Sequence, residues 1–107
     1  MGGQAEVALQ PLNEAQQRFQ QLADAGSQIA ERMASVAITE IGSCFIRLGQ
    51  LDEAATAYQT AIKQCEKLED ARTVAIGKSQ LGTIHLLQQR YADALEIYTE
   101  AKAIFKH

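Results

Sequence analysis

The stretch Ile41–Phe45 (Ile-Gly-Ser-Cys-Phe) decides the fold, together with Leu51–Ala54 (Leu-Asp-Glu-Ala), Tyr58 and Ala61 that follow it. The same pattern returns forty residues later, beginning at Leu81 with Leu-Gly-Thr-Ile-His. Four residues of this pattern are identical at this offset: Gly42 and Gly82, Ala54 and Ala94, Tyr58 and Tyr98, and Ala61 and Ala101. A period of this length is typical of proteins built from stacked structural repeats.

The composition of the chain is that of a soluble helical domain, or of one piece of a longer array. Its 107 residues are 47% hydrophobic and 21% charged, with one proline. The 10 basic and 13 acidic residues include no basic cluster, so nucleic-acid binding is not expected. No apolar run approaches the length of about 18 residues that a membrane span needs. Cys44 and Cys65 are predicted to fill the core as free thiols, which fits a reduced, cytoplasmic compartment.

The spacing of apolar residues predicts secondary structure. They recur every three or four positions and predict five helices, at about 11–25, 28–48 (with 30 as an alternative start), 52–68, 71–88 and 91–106. No segment alternates with a period of two, so the predicted fold class is all-α. Pro11 suits the first turn of the first helix, although Gln4–Leu9 also suits the tail of an earlier helix. Ser27 and Asp70 are candidate N-caps, and the short connections make neighbouring helices antiparallel.

Two glycines lie inside predicted helices. Gly42 and Gly82 each cost about 1 kcal/mol of helix stability relative to alanine. A chain that accepts this cost at both equivalent positions is expected to need the close approach of a neighbouring helix there.

The repeated residues resemble a known family. The first copy reads Ile38-x-x-Ile41-Gly42-x-x-Phe45 and then Ala54-x-x-x-Tyr58. The second reads Lys78-x-x-Leu81-Gly82-x-x-His85 and then Ala94-x-x-x-Tyr98, and a half copy, Leu12-x-x-Ala15-x-x-x-Phe19, precedes them. This register resembles the tetratricopeptide repeat. The period of about forty resembles the longer variety of that repeat, which is found in bacterial multidomain proteins.

The resemblance implies an α-solenoid of antiparallel helix-turn-helix repeats stacked side by side. It divides residues 1–107 into a single array with a partial repeat at 1–30 and full repeats at 31–70 and 71–107. The chain is then expected to be a fragment of a longer protein.

Two features of the second repeat depart from the family pattern. Lys78 replaces a large apolar residue and His85 replaces an aromatic one, so looser packing is expected at that end. Ile97, Ile104 and Phe105 are expected to widen the apolar surface of the last helix and to favour self-association through exposed repeat ends.

The resemblance also implies a binding site for a protein or peptide partner. In this family the first helix of each repeat lines a concave groove. The matching positions here are Thr39, Ser43, Ile46, Arg47, Ser79, Thr83, Leu86 and Leu87. Arg47 is the only charged residue among them and is expected to orient an acidic group. Members that clamp a carboxylate at the end of a chaperone tail use Lys and Asn where this chain has Thr39 and Ser43, so that specificity is not implied.

Catalytic chemistry finds no support in the sequence. His85 occupies a repeat-core position, and Ser43 and Cys44 have no His and acid at a recognisable spacing. Metal-binding Glu-x-x-His and His-x-x-x-His motifs are absent, as is a glycine-rich phosphate loop. No catalytic residue, metal or cofactor is therefore expected. Two alternatives to an interaction module stay open: a structural or regulatory spacer without a ligand of its own, and a small catalytic or cofactor-binding bundle.

Overall fold

A computed structural model describes residues 2–105, with side chains for residues 6–104. These residues form helices and no strand, which confirms the predicted all-α class. The helices are α1 Gly2–Asp24, α2 Gln28–Arg47, α3 Leu51–Lys67, α4 Ala71–Leu87 and α5 Tyr91–Phe105. Each helix packs mainly against its neighbours along the chain. The result is the stacked, solenoid-like arrangement that the repeat predicted.

The first helix is longer than predicted. It runs from Gly2 to Asp24 with Pro11 in its interior, so the prediction that a helix begins at Pro11 is wrong. An interior proline removes one backbone hydrogen bond, that to the carbonyl group four residues earlier. That carbonyl belongs to Val7, and because both Val7 and Pro11 are exposed, water can hydrate it.

The predicted N-caps are both formed. The side chain of Ser27 accepts a hydrogen bond from the backbone N–H of Ala30 at 3.1 Å. Asp70 Oδ1 accepts one from the N–H of Thr73 at 3.2 Å. Each satisfies one of the backbone N–H groups that the first turn of a helix leaves without a partner.

The C-terminal ends of α1 to α4 share one geometry. A residue with positive φ follows each helix, namely Gly26, Gly49, Glu69 or Gln89. After α2 and α4, the residue that follows the positive-φ residue donates its backbone N–H to a carbonyl group five residues earlier. Gln50 donates to Phe45 and Arg90 donates to His85, each at 2.8 Å. This is the Schellman motif. Its repetition reverses the chain in the same way after each of these helices.

The repeated glycines mark close helix contacts, as predicted. A methyl group placed on Gly42 would lie 2.8 Å from Cε2 of Tyr58, and one on Gly82 would lie 2.8 Å from Cε1 of Tyr98. In each repeat the tyrosine ring therefore occupies the space of a missing side chain on the preceding helix. Tyr58 is buried and Tyr98 is half-buried.

The core is continuous across the two repeats because α3 buries two of its sides. Tyr58 packs towards α2 at Gly42, while Cγ1 of Ile62 would lie 2.9 Å from a methyl group on Gly77 of α4. The central cluster joins α3 and α4 and consists of Ala54, Ala55, Tyr58, Ile62, Cys65, Val74, Leu81 and Ile84. Cys44 and Cys65 are buried free thiols, as predicted.

The two residues that depart from the family pattern are held by polar contacts. His85 is buried, and its Nδ1 lies 3.2 Å from Oε1 of Gln88. Lys78 Nζ lies 3.4 Å from Oε1 of Glu100 on α5. In the second repeat, Lys78 and His85 thus replace apolar side chains, and the polar group of each has a partner in Glu100 or Gln88.

The apolar surface of α5 differs from the prediction. Ile97 and Ile104 are half-buried and pack against the central cluster, so the expectation that they widen an exposed surface is wrong. The Phe105 side chain lies outside the described part of the structure. Among the described side chains of α5, the large apolar residues that are exposed are instead Tyr91 and Leu95, at 65% and 70%.

Candidate binding surface

The exposed sides of α2 and α4 form the surface on which the predicted site residues lie. On each helix these residues stand opposite the side that is buried against neighbouring helices, and they recur every three or four positions. We call this set the α2–α4 surface. It consists of Arg32, Val36, Thr39, Glu40, Ser43 and Arg47 on α2, and of Arg72, Ile76, Ser79, Gln80, Thr83, Leu86 and Leu87 on α4.

The eight predicted site residues differ in their accessibility. Four of them are exposed, namely Arg47, Thr83, Leu86 and Leu87. The other four are half-buried, namely Thr39, Ser43, Ser79 and Ile46. Ile46 packs against the central cluster, so it serves the core more than the surface.

Several residues of this surface were not predicted. Val36 and Ile76 are 41% and 47% exposed and are related by the same forty-residue offset as Gly42 and Gly82. Arg32 and Arg72 are a second pair at this offset, both exposed. Comparing the non-core positions of the two repeats could have found both pairs, because each pair keeps its chemical character.

Three hydroxyl groups on this surface, those of Thr39, Ser79 and Thr83, donate to carbonyl groups of their own helices. Thr39 Oγ1 donates to the carbonyl of Val36 at 2.7 Å, and Ser79 Oγ donates to that of Ala75 at 3.0 Å. A hydroxyl group that donates in this way still has lone pairs to accept a further hydrogen bond. Such groups can accept N–H groups from a bound peptide.

Thr83 has a second contact in addition to its own helix. Its Oγ1 lies 3.2 Å from the carbonyl of Ser79 and 2.9 Å from Oη of Tyr98. The tyrosine of the repeat frame therefore reaches the edge of the surface. Because the contact to Tyr98 ties α4 to α5, it restrains the Thr83 side chain.

The electrostatics at the N-terminal ends of α2 and α4 centre on Asp70. Its pKa is lowered chiefly by hydrogen bonds from the hydroxyl and backbone N–H of Thr73, the hydroxyl at 2.7 Å. The nearby charges of Arg32 and Arg72 lower the pKa further. Both guanidinium groups therefore lie close enough to the Asp70 carboxylate to interact with it electrostatically.

Among the described residues, no group of three or more His, Cys, Asp or Glu side chains is arranged to hold a metal ion. One cavity of about 680 Å³ is an open depression beside the turn after α2 and the end of α4. It is lined by Gly49, Gln50, Leu51, Asp52, Glu53, Gln88 and Arg90. Within residues 2–105, no helix is both long and apolar enough to cross a bilayer.

Comparison with known proteins agrees with this architecture. The model of the tetratricopeptide repeat family matches residues 32–107, a range that contains all eight predicted site residues. No curated protein and no solved structure gives a significant match. Since the family match covers more than half of the chain and the helices stack as that family requires, the chain belongs to the tetratricopeptide repeat family.

Proposed function

We propose that this chain binds a peptide or a helix of a partner protein on the α2–α4 surface. Tetratricopeptide repeats generally mediate protein–protein interaction and are a non-catalytic scaffold. The observation that carries the proposal is a group of large apolar side chains left open on this surface. Val36, Ile76, Leu86 and Leu87 are 41%, 47%, 43% and 54% exposed.

The energetics of these side chains support the proposal. Fully burying one such side chain contributes about 1.5–3 kcal/mol, so covering the exposed half of each contributes roughly 1 kcal/mol. Several of these contributions together, with hydrogen bonds to Thr39, Ser43 and Thr83, support a specific interface. Arg47 is exposed at the end of α2 and can orient an acidic group of the partner.

The array of a partial repeat at 1–30 and two full repeats at 31–70 and 71–107 is part of this proposal. A continuous core through α3 and α4 holds the binding residues of both full repeats in one rigid unit. The same rigidity would suit a structural or regulatory spacer without a ligand of its own. This alternative function applies if no partner binds the α2–α4 surface.

Self-association through the outer side of α5 is a second proposed interaction. At the forty-residue offset, Tyr91 and Leu95 correspond to Leu51 and Ala55 of α3. α4 packs on that helix, and there Ala55 is buried and Leu51 half-buried, whereas Tyr91 and Leu95 are exposed. Light scattering over a range of concentrations should show association that Leu95→Glu weakens, and a monomer at every concentration would contradict this proposal.

The binding proposal is tested by a pull-down with the purified chain and two matched variants. Thr83→Glu places a charge on the α2–α4 surface, and Thr60→Glu places the same charge on exposed α3. Both threonines donate to a carbonyl four residues earlier in an α-helix. Because Thr83→Glu also removes the contact to Tyr98 Oη, circular dichroism and thermal unfolding check that both variants keep the wild-type fold. We expect a partner retained by the wild type to be retained by Thr60→Glu and lost with Thr83→Glu. Equal retention by both variants would show that the partner binds outside the α2–α4 surface. If the wild type retains no partner, the alternative of a spacer without a ligand is favoured.

A further inference from the structure

The α2–α4 surface carries a positive charge on an otherwise acidic chain. Three of its residues are arginines, namely Arg32, Arg47 and Arg72, and Glu40 is its only carboxylate. The whole chain has a formal net charge of −3. Three of the ten basic residues of the chain thus lie on the surface that exposes the apolar residues, with one carboxylate among them.

Arg32 and Arg72 form the same local arrangement in both repeats. Each lies four residues before an exposed branched apolar residue, Arg32 before Val36 and Arg72 before Ile76. A separation of four residues places both side chains on one side of a helix, about 6 Å apart along its axis. Each repeat therefore presents a guanidinium group followed by an apolar contact, in the same order.

The guanidinium groups are available to a ligand. Where side chains are described, no ion pair engages Arg32, Arg47 or Arg72. Asp70, whose carboxylate interacts electrostatically with Arg32 and Arg72, already accepts two hydrogen bonds from Thr73. The N-terminal ends of α2 and α4 add the positive ends of two helix dipoles at the same edge.

We infer that the segment recognised on this surface is acidic and apolar. A carboxylate side chain binds Arg32 and Arg72, and a neighbouring apolar side chain packs on Val36 and Ile76. Guanidinium groups bind carboxylates through paired hydrogen bonds, which fixes orientation as well as charge. This inference rests on the proposed binding function and specifies its ligand.

The spacing of the surface also defines the ligand pattern. In an extended peptide, residues two positions apart lie on the same side and about 6.6 Å apart. In a helical ligand, residues four positions apart are separated by about 6 Å. The expected ligand thus has Asp or Glu two residues from Leu or Ile if extended, or four residues from it if helical.

The test uses fluorescein-labelled twelve-residue peptides and fluorescence anisotropy with the full chain. Two peptide series carry an Asp–Leu pair at a spacing of two or of four residues. Matched peptides replace Asp by Asn, Asp by Lys, or Leu by Ser. The proteins are the wild type, Arg32→Gln/Arg72→Gln, and the control Lys63→Gln/Lys67→Gln, which removes equal charge from exposed positions of α3. Circular dichroism verifies that all three are folded.

We expect the wild type to bind an Asp–Leu peptide at least tenfold more tightly than its Asn and Lys counterparts. Added salt should reduce this preference, because screening weakens exposed charge pairs. The preference should fall close to unity in Arg32→Gln/Arg72→Gln and persist in Lys63→Gln/Lys67→Gln. An equal loss in the control would reduce the effect to overall charge and overturn the inference.

The failure of this inference can be told from the failure of the proposed function. If Asp, Asn and Lys peptides bind equally and Val36→Ser/Ile76→Ser abolishes the binding, the surface binds partners without selecting acids. If no peptide containing Leu binds, both the inference and the proposed binding surface are refuted for such segments.

Discussion

The contact between Gly42 and Tyr58 gives the sharpest test of the repeat frame. In Gly42→Ala, the new Cβ atom would lie 2.8 Å from Cε2 and 3.0 Å from Cδ2 of Tyr58, and 3.4 Å from Cβ of Ala57. The first two distances are too short for carbon atoms, so the tyrosine ring must move. Tyr58 is only 5% exposed, which leaves the ring little room to do so.

Two opposing effects set the size of the change. Replacing a helix-interior glycine by alanine gains about 1 kcal/mol of helix propensity. Overpacking a filled core costs about 1–3 kcal/mol, and the buried ring at Gly42 favours the upper end of this range. We therefore expect Gly42→Ala to lower the free energy of unfolding by about 2 kcal/mol. In a domain of this size that lowers Tm by about 8–16 °C.

Urea and thermal unfolding followed by circular dichroism measure this loss. The control is Gly42→Ala in a Tyr58→Leu background, where the ring atoms that meet the new methyl group are absent. There the substitution should stabilise the chain by about 1 kcal/mol, because only the propensity gain remains. Gly82→Ala should cost less than Gly42→Ala, since Tyr98 is half-buried and can swing towards solvent. Wild-type or higher stability for Gly42→Ala in the presence of Tyr58 would refute the reasoning.

The remaining predictions concern the helix ends. Glu69 and Gln89 have φ of 57° and 64° at turn positions where glycine carries no steric penalty. Glu69→Gly and Gln89→Gly should therefore each stabilise the chain by up to about 1 kcal/mol. Gly49→Ala, at φ 75°, should destabilise it. Chemical denaturation measures whether the free energy of unfolding changes in these opposite directions. Asp70→Ala should cost about 1 kcal/mol at neutral pH through loss of the N-cap. Because the pKa of Asp70 is lower in the folded state, its carboxylate stabilises the fold above its unfolded pKa of about 4. That contribution should vanish as pH falls through the folded pKa, so a wild-type advantage over Asp70→Ala that did not shrink in acid would contradict this assignment.

The local features of the chain could be predicted because neighbouring residues determine them. Helical periodicity, the caps at Ser27 and Asp70, and the glycine turn at Gly49 depend on sequence spacing and backbone chemistry. The positive φ at Glu69 and Gln89 could not be predicted, since neither residue favours it. Their conformation follows from the need to place the next helix against the core.

The site could be predicted only in part. The family register located Arg47, Thr83, Leu86 and Leu87, which the structure leaves exposed. The family register did not predict that Arg32 belongs to the surface, because Arg32 lies outside the repeat motif and the motif assigns no role to such a residue. Whether such a side chain faces solvent or a neighbour depends on the helices that pack beside it.

The sequence by itself determined the class of the fold, the number of helices and the frame of glycine and tyrosine residues that joins them. These features follow from a forty-residue period and from short-range chemistry. The tertiary structure decided which apolar residues are covered: Ile97 and Ile104 pack inward, while Tyr91, Val36 and Ile76 remain open. Helical periodicity places a residue on one side of its helix, but only the packing of distant segments decides whether that side meets the core or water.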